Sequence, residues 1–212
     1  QFFVDSKDST CTHMNEFQYL ALGDSYTIGE GVEEESRWPN QLALKLKSVG
    51  IAVNKVEIIA TTGWTTHDLL KGIETRSPGK HNLISLLIGV NNQHQKLPFE
   101  KFEKEFEMLL NKAIELVDDK SHVFVVSIPD YGVTPYGAEN PIGIGKEIDK
   151  YNAQISMACE AKEIPLVDIT GISREMANVK DALAEDKLHP SAAQYTRWTE
   201  SILPVVAELL QK

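Results

Sequence analysis

Residues 17–25 read FQYLALGDS, a short apolar run that ends in Gly-Asp-Ser. A nearly continuous apolar run of this length predicts a strand that is buried on both faces. Four further strand-like runs follow, at 52–60, 83–88, 122–128 and 164–169. Between the strands, apolar residues recur at intervals of three and four, which predicts amphipathic helices. The alternation of strands and helices predicts an α/β fold in which a five-stranded parallel sheet is covered by helices on both faces.

Composition and charge argue against several classes of function. The chain has 212 residues, enough for one domain, and a formal net charge of −10 at pH 7. A nucleic-acid binder neutralises phosphates with Lys and Arg, so nucleic acid is not an expected partner. The same charge argues against a polybasic membrane-surface protein. The longest apolar runs, such as 83–90, are too short to span a bilayer, so we expect no stable membrane insertion.

The N-terminal residues 1–13 are polar and lack periodicity, and we interpret them as a tail or the remnant of a tag ahead of one domain at 14–212. The chain begins at Gln1 rather than Met. A removed export signal and a shortened chain both explain this start, so the compartment, cytoplasmic or exported, stays open. The sequence is silent on the oligomeric state.

Polar residues follow the first three predicted strands. Ser25 comes after the first strand, Gly63 after the second and Asn91 after the third. A later segment, Asp186-Lys187-Leu188-His189-Pro190, precedes the last helix. Ligands of an open parallel sheet bind beyond the carboxyl ends of its strands. We therefore expect these residues to form one site.

The residue types at this site suit nucleophilic catalysis. A serine hydroxyl becomes a good nucleophile when a base takes its proton, and His189 is the natural base. Asp186 can hold the imidazole in the correct tautomer and stabilise the imidazolium. The negative charge that develops on the carbonyl oxygen needs preorganised donors. The backbone N–H groups of Ser25 and Gly63 and the side-chain amide of Asn91 are the candidates.

The motifs resemble those of the SGNH (GDSL) hydrolase family, in the order of its sequence blocks. The first block is Ala21-Leu22-Gly23-Asp24-Ser25-Tyr26, the second supplies Gly63, the third is Gly89-Val90-Asn91-Asn92, and the last is the segment from Asp186 to Pro190. The resemblance implies a three-layer α/β/α, flavodoxin-like fold. It also implies hydrolysis of esters or thioesters without a metal or organic cofactor. Many members carry Asp where this chain has Asn92, and we expect this departure to affect local hydrogen bonding more than catalysis.

Three aromatic residues are candidates for substrate binding. Trp64 follows Gly63 directly, and Tyr131 and Tyr136 lie on a Gly- and Pro-rich loop predicted from 129 to 145. We hypothesise that they line the acyl or alcohol pocket. The alternative is that they pack the loops onto the sheet, and the sequence favours neither.

The substrate is not determined by the motifs. The family resemblance includes enzymes acting on lysophospholipids, acyl thioesters and acetylated carbohydrates. The first block and the size of the chain favour a lysophospholipase-like serine esterase, with a carbohydrate O-acetylesterase as the alternative. A non-catalytic ligand-binding domain on the same fold is a third reading, although Ser25, Asp186 and His189 are all present. Acyl transfer to an acceptor other than water would use the same residues.

Overall fold

The computed structural model of the protein describes residues 16–212, so the predicted tail at 1–13 lies outside the described residues. The strands are β1 Phe17–Gly23, β2 Val53–Ala60, β3 Leu83–Leu86, β4 Val123–Val126 and β5 Leu166–Val167. The helices are α1 Ser25–Ile28, α2 Trp38–Ser48, α3 Thr66–Arg76, α4 Val90–His94, α5 Phe99–Leu116, α6 Pro141–Ala161, α7 Thr170–Glu175 and α8 Ala192–Leu210. The predicted α/β fold with five strands is confirmed.

The five strands form one parallel sheet in the order β2-β1-β3-β4-β5. The chain moves from β1 to β2 in one direction and from β3 to β5 in the other. The direction therefore reverses between β1 and β3, where the two strands are paired. In sheets of this order the crevice at the reversal point is the usual ligand site.

Because parallel strands are almost always joined by right-handed crossovers, the reversal of direction puts helices on both faces of the sheet. The β1-to-β2 connection carries α2, which packs against α8. The later connections run the other way across the sheet and put α3, α5 and α6 together on the opposite face. Fully buried side chains such as Trp38, Tyr19 and Phe124 fill the space between the layers. Within residues 16–212, no helix combines the length and the apolar composition that a membrane crossing needs.

One local prediction was wrong. The loop predicted to extend to Gly145 ends earlier, because α6 begins at Pro141. The Asn140 side chain caps this helix by accepting the Gly143 N–H at 3.2 Å, and a proline at the first helical position has no N–H to lose. Pro204 lies inside α8, which runs as one helix from Ala192 to Leu210, so the proline does not split it.

Candidate active site

The carboxyl ends of the first three strands are level with each other. Gly23 of β1 is paired with Ala60 of β2, and Leu22 of β1 with Leu86 of β3. The turns that follow these strands consequently begin side by side at one edge of the sheet. Ser25, Gly63 and Asn91 lie on those turns, and the structure brings all three to one cavity.

The turn after β1 is organised by Asp24. Its carboxylate caps the short helix α1 by accepting the Tyr26 N–H at 3.0 Å, and Ser25 is the first residue of that helix. Asp24 is fully buried, and its second oxygen has no hydrogen-bond partner among the described residues. Burial raises the pKa of Asp24 to about 7, although the hydrogen bond from Tyr26 acts in the opposite direction. The cap fixes the backbone from which the Ser25 hydroxyl projects.

Gly63 lies in the turn between β2 and α3. Its φ of +86° is in the left-handed region that favours glycine. A β-carbon at this position would meet no atom within 4 Å, so no protein group near it forbids a side chain. The free space next to its backbone is part of the cavity that also contains Ser25.

Asn91 lies in the first turn of α4, two residues after Gly89. Gly89 has a φ of +132°, and a β-carbon there would come within 2.7 Å of the Phe102 ring and 2.9 Å of Ile128. The glycine therefore allows the chain to turn sharply against the core. The Asn91 side chain donates one amide hydrogen to the Trp64 carbonyl at 2.9 Å. A primary amide carries two N–H donors, so a second one is available to a ligand.

Asp186 and His189 occupy one tight turn before α8. One Asp186 oxygen accepts the backbone N–H groups of Leu188 and His189, at 3.0 and 2.9 Å. The other lies 2.5 Å from His189 Nδ1. Burial alone would raise the pKa of Asp186, but the hydrogen bonds from His189 and Leu188 outweigh it and lower that pKa. An ionised carboxylate only accepts, so Nδ1 carries the proton and Nε2 presents a lone pair.

These groups surround a cavity of about 290 Å³. It is lined by Ser25, Gly63, Asn91 and His189 of the predicted set. Asp186 does not line the cavity but contacts His189 through its Nδ1. Within the described residues no hydrogen bond joins the Ser25 hydroxyl to His189. Catalytic hydrogen bonds are often long in an empty site and shorten when substrate binds.

The three aromatic candidates have different positions. Tyr131 and Tyr136 both line the cavity. Trp64 does not. Its ring lies so close to α3 that a β-carbon on Gly72 would be 2.3 Å from the indole. Trp64 therefore packs its loop onto α3, and its backbone carbonyl, rather than its ring, is what contacts Asn91.

Sequence reasoning missed six residues that also line the cavity: Tyr26, Thr62, Val90, His94, Gln95 and Leu188. Among them, His94 places its Nε2 3.1 Å from the Tyr136 hydroxyl. Tyr131 donates to Gln93 at 2.7 Å, and Gln93 donates to Glu147 at 2.6 Å. These partners are separated by 38 to 54 residues in the chain, and the sequence contains no signal that pairs them.

The arrangement can support acyl transfer. A serine hydroxyl and an imidazole with a free Nε2 line one wall, and a carboxylate holds the imidazole. Gly63 and Asn91 line the same cavity and carry N–H donors. Among residues 16–212, no lysine, arginine or carboxylate side chain lines this cavity. The described residues contain no group of three or more His, Cys, Asp or Glu side chains placed to hold a metal ion.

The architecture is shared with solved structures, two of which are esterases by their descriptions. TesA superposes with a TM-score of 0.70 at 18% identity, over 91% of this chain and 99% of that one. Axe2, an acetylxylan esterase from Geobacillus stearothermophilus, also gives 0.70 at 18% identity, over 91% and 95%. The psychrotrophic esterase EstA from Pseudoalteromonas sp. gives 0.67 at 16% identity, over 93% and 100%. At these identities the likeness shows the fold alone. No curated protein sequence matches the chain.

The five-stranded parallel sheet with helices on both faces is a three-layer α/β/α architecture. The family model of the GDSL-like lipase/acylhydrolase family matches residues 21–197. This match covers most of the chain, and the protein belongs to that family. The resemblance inferred from the sequence blocks is thereby confirmed.

Proposed function

We propose that the protein is a serine esterase that hydrolyses carboxylic esters through an acyl-enzyme on Ser25. The observation that carries this proposal is the Asp186–His189 pair, which lies at the same cavity as Ser25, Gly63 and Asn91. Asp186 orients His189, His189 takes the proton, and Ser25 is the nucleophile. No metal or organic cofactor has a role in this scheme.

The first half-reaction forms the acyl-enzyme. Ser25 Oγ attacks the ester carbonyl carbon while its proton passes to His189 Nε2. The carbonyl oxygen becomes an oxyanion, which the N–H groups of Ser25 and Gly63 and the Asn91 amide stabilise. The C–O bond to the alcohol then breaks, and the alcohol leaves with the proton from His189. In the second half-reaction water repeats these steps and releases the acid and free Ser25.

Two substrate classes remain within the proposal. The sequence blocks favour a lysophospholipase-like activity on lipid esters. The cavity volume of about 290 Å³ favours a short acyl group, as in a carbohydrate O-acetylesterase, because it lies at the lower end of the range for small-molecule sites. Tyr131 and Tyr136 would contact the substrate in either case. Trp64 is omitted from the substrate contacts, since its ring packs on α3.

The test is the release of p-nitrophenol from esters of increasing acyl length by the wild type and by Ser25→Ala. We expect activity in the wild type and its loss, by a factor of roughly 10³ or more, in the variant. A preference for acetyl would select the carbohydrate esterase and a preference for longer chains the lipid enzyme. Folded protein without activity on any ester would support the non-catalytic binding domain instead. Adding a competing alcohol and analysing the products separates acyl transfer from hydrolysis.

A further inference from the structure

Asn92 is fully buried next to Asn91, and its side chain makes two hydrogen bonds to one residue of another helix. Its Oδ1 accepts the Thr66 backbone N–H at 3.0 Å. Its Nδ2 donates to the Thr66 hydroxyl at 2.8 Å. Thr66 is the first residue of α3, where backbone N–H groups lack partners within the helix. Asn92, on α4, therefore supplies the hydrogen-bond acceptor that the first backbone N–H of α3 lacks within its own helix.

The orientation of the Asn92 amide is determined by its neighbours. A backbone N–H can be accepted only by the amide oxygen, so the amide nitrogen must face the Thr66 hydroxyl. Because that hydroxyl receives a hydrogen from Asn92, its own proton is free to point elsewhere. Its further neighbour is the Glu105 carboxylate on α5, at a long 3.4 Å. The hydrogen bonds run in one direction, from Asn92 through Thr66 to Glu105.

This contact links the two turns that carry the proposed oxyanion donors. Thr66 follows Gly63 by three residues, and Asn92 follows Asn91 directly. A second link between the same turns is the hydrogen bond from Asn91 to the Trp64 carbonyl. The backbone N–H of Gly63 and the amide of Asn91 are thus held in a fixed relation by two adjacent asparagines.

The buried charge at this junction comes from Glu105. Its side chain is 8% exposed, and the basic side chains that face it are His67, at 3.3 Å, and Lys101, at 3.9 Å, both about half exposed. A carboxylate in place of the Asn92 amide would compete with Glu105 for the Thr66 proton. It would also place a second negative charge near the first, which is unfavourable in a buried site.

We infer that Asn92 is a positioning residue that sets the separation of the Gly63 and Asn91 donors through Thr66, and that Glu105 requires a neutral side chain at position 92. The inference deepens the proposed function and rests on it. Asn92 itself touches no reacting atom. In contrast to the expectation from the family blocks, which limited the Asn-for-Asp difference mainly to local hydrogen bonding, we predict that Asp at position 92 impairs catalysis. Its effect is expected on the rate of acylation and not on the binding of the ground-state ester.

The test compares Asn92→Asp, Glu105→Gln and the double variant with p-nitrophenyl acetate as the probe. N92D should lower kcat by about tenfold or more while KM changes less than about twofold, since misplaced donors weaken only the transition state. The double variant should recover most of the lost kcat, because Glu105→Gln removes one of the two buried carboxylates. Asn54→Asp, an exposed change of the same charge on β2, is the control and should leave kcat unchanged.

Wild-type kcat in N92D, or a double variant no faster than N92D, would overturn the inference. If N92D fails to fold, Thr66→Val applies the same test, because it keeps the shape and removes the hydroxyl. The nuclear magnetic resonance signal of the Gly63 amide provides a readout that does not depend on activity, and it should shift in N92D and return in the double variant. An inactive wild type with that shift present would contradict the proposed function and leave the positioning intact.

Discussion

Asp186 Oδ2 and His189 Nδ1 lie 2.5 Å apart within a turn of four residues, while the other Asp186 oxygen accepts two backbone N–H groups of the same turn. One carboxylate therefore both builds the turn and holds the imidazole. The edge of the His189 ring also contacts the Tyr26 ring, with centroids 5.9 Å apart. The orientation of His189 depends mainly on these local contacts.

We predict that Asp186→Asn lowers kcat by roughly 10²–10⁴ while the protein stays folded. An amide can keep the backbone hydrogen bonds of the turn, but it cannot stabilise an imidazolium or enforce the tautomer with a proton on Nδ1. Steady-state kinetics on the best p-nitrophenyl ester measure the loss. Glu185→Gln, the neighbouring exposed carboxylate, is the matched control. Equal rates in both variants would remove Asp186 from the mechanism.

Gly63 and Gly50 form a matched pair for testing whether the Gly63 backbone N–H acts as an oxyanion donor. Their φ angles are +86° and +87°, and a β-carbon on either would meet no atom within 4 Å. Alanine at each should therefore cost a similar amount of stability, about 1–2 kcal/mol, from backbone strain. Only Gly63→Ala should also lower kcat, by about tenfold or more, because it displaces a donor and occupies space in the cavity.

Chemical denaturation and ester kinetics on the Gly63→Ala and Gly50→Ala variants check this prediction. Similar losses of unfolding free energy, together with a loss of kcat confined to the first variant, are expected. If both variants lose kcat equally, the effect is one of general stability and Gly63 has no special part in the reaction.

The sequence predicted the residues whose positions depend on strand ends and on a local turn. Ser25 and Asn91 follow buried strands, and the carboxyl ends of parallel strands meet at one edge of a sheet. Asp186 and His189 are three residues apart and needed only a tight turn. The positions of these residues are determined either by residues close to them in the chain or by the pairing of the strands.

The residues that sequence reasoning misplaced depend on packing between distant segments. Trp64 was a candidate for the pocket or for loop packing, and its ring packs close to Gly72 on α3. His94 contacts Tyr136, which is 42 residues away in the chain, and no sequence feature near either residue predicts this contact. The start of α6 was missed because Gly143 and Gly145 suggested a loop, although Asn140 and Pro141 are good helix-starting residues.

Asp24 should make the stability of the protein depend on pH. Burial raises its pKa from 3.8 to about 7, so between these values the native state holds a proton that the unfolded chain has released. The free energy of unfolding should therefore fall as pH rises, with a contribution on the order of 1.4 kcal/mol per pH unit, and level off above about pH 7. Asp24→Asn keeps a side-chain oxygen for the cap and removes this contribution.

The measurement is urea unfolding of the wild type and Asp24→Asn at intervals from pH 5 to pH 8. The stability of the variant relative to the wild type should increase over that range. Glu33→Gln, an exposed carboxylate without a side-chain capping bond, is the control and should follow the wild type. Parallel curves for Asp24→Asn and the wild type would show that Asp24 does not bind a proton in this range.

Tyr136 lines the cavity, and its side chain is exposed to an incoming substrate. It is 56% exposed, its hydroxyl lies 3.1 Å from His94 Nε2, and its ring packs at an angle on Tyr131. We predict that Tyr136→Ala raises KM several-fold for the preferred ester or changes the preferred acyl length, because apolar contact with the substrate is lost. Tyr136→Phe keeps the ring and should have a smaller effect.

Ile142→Ala, at a residue that is 74% exposed but does not line the cavity, is the control. Unchanged KM and chain-length preference in Tyr136→Ala would mean that the tyrosine only packs the loop onto its neighbours.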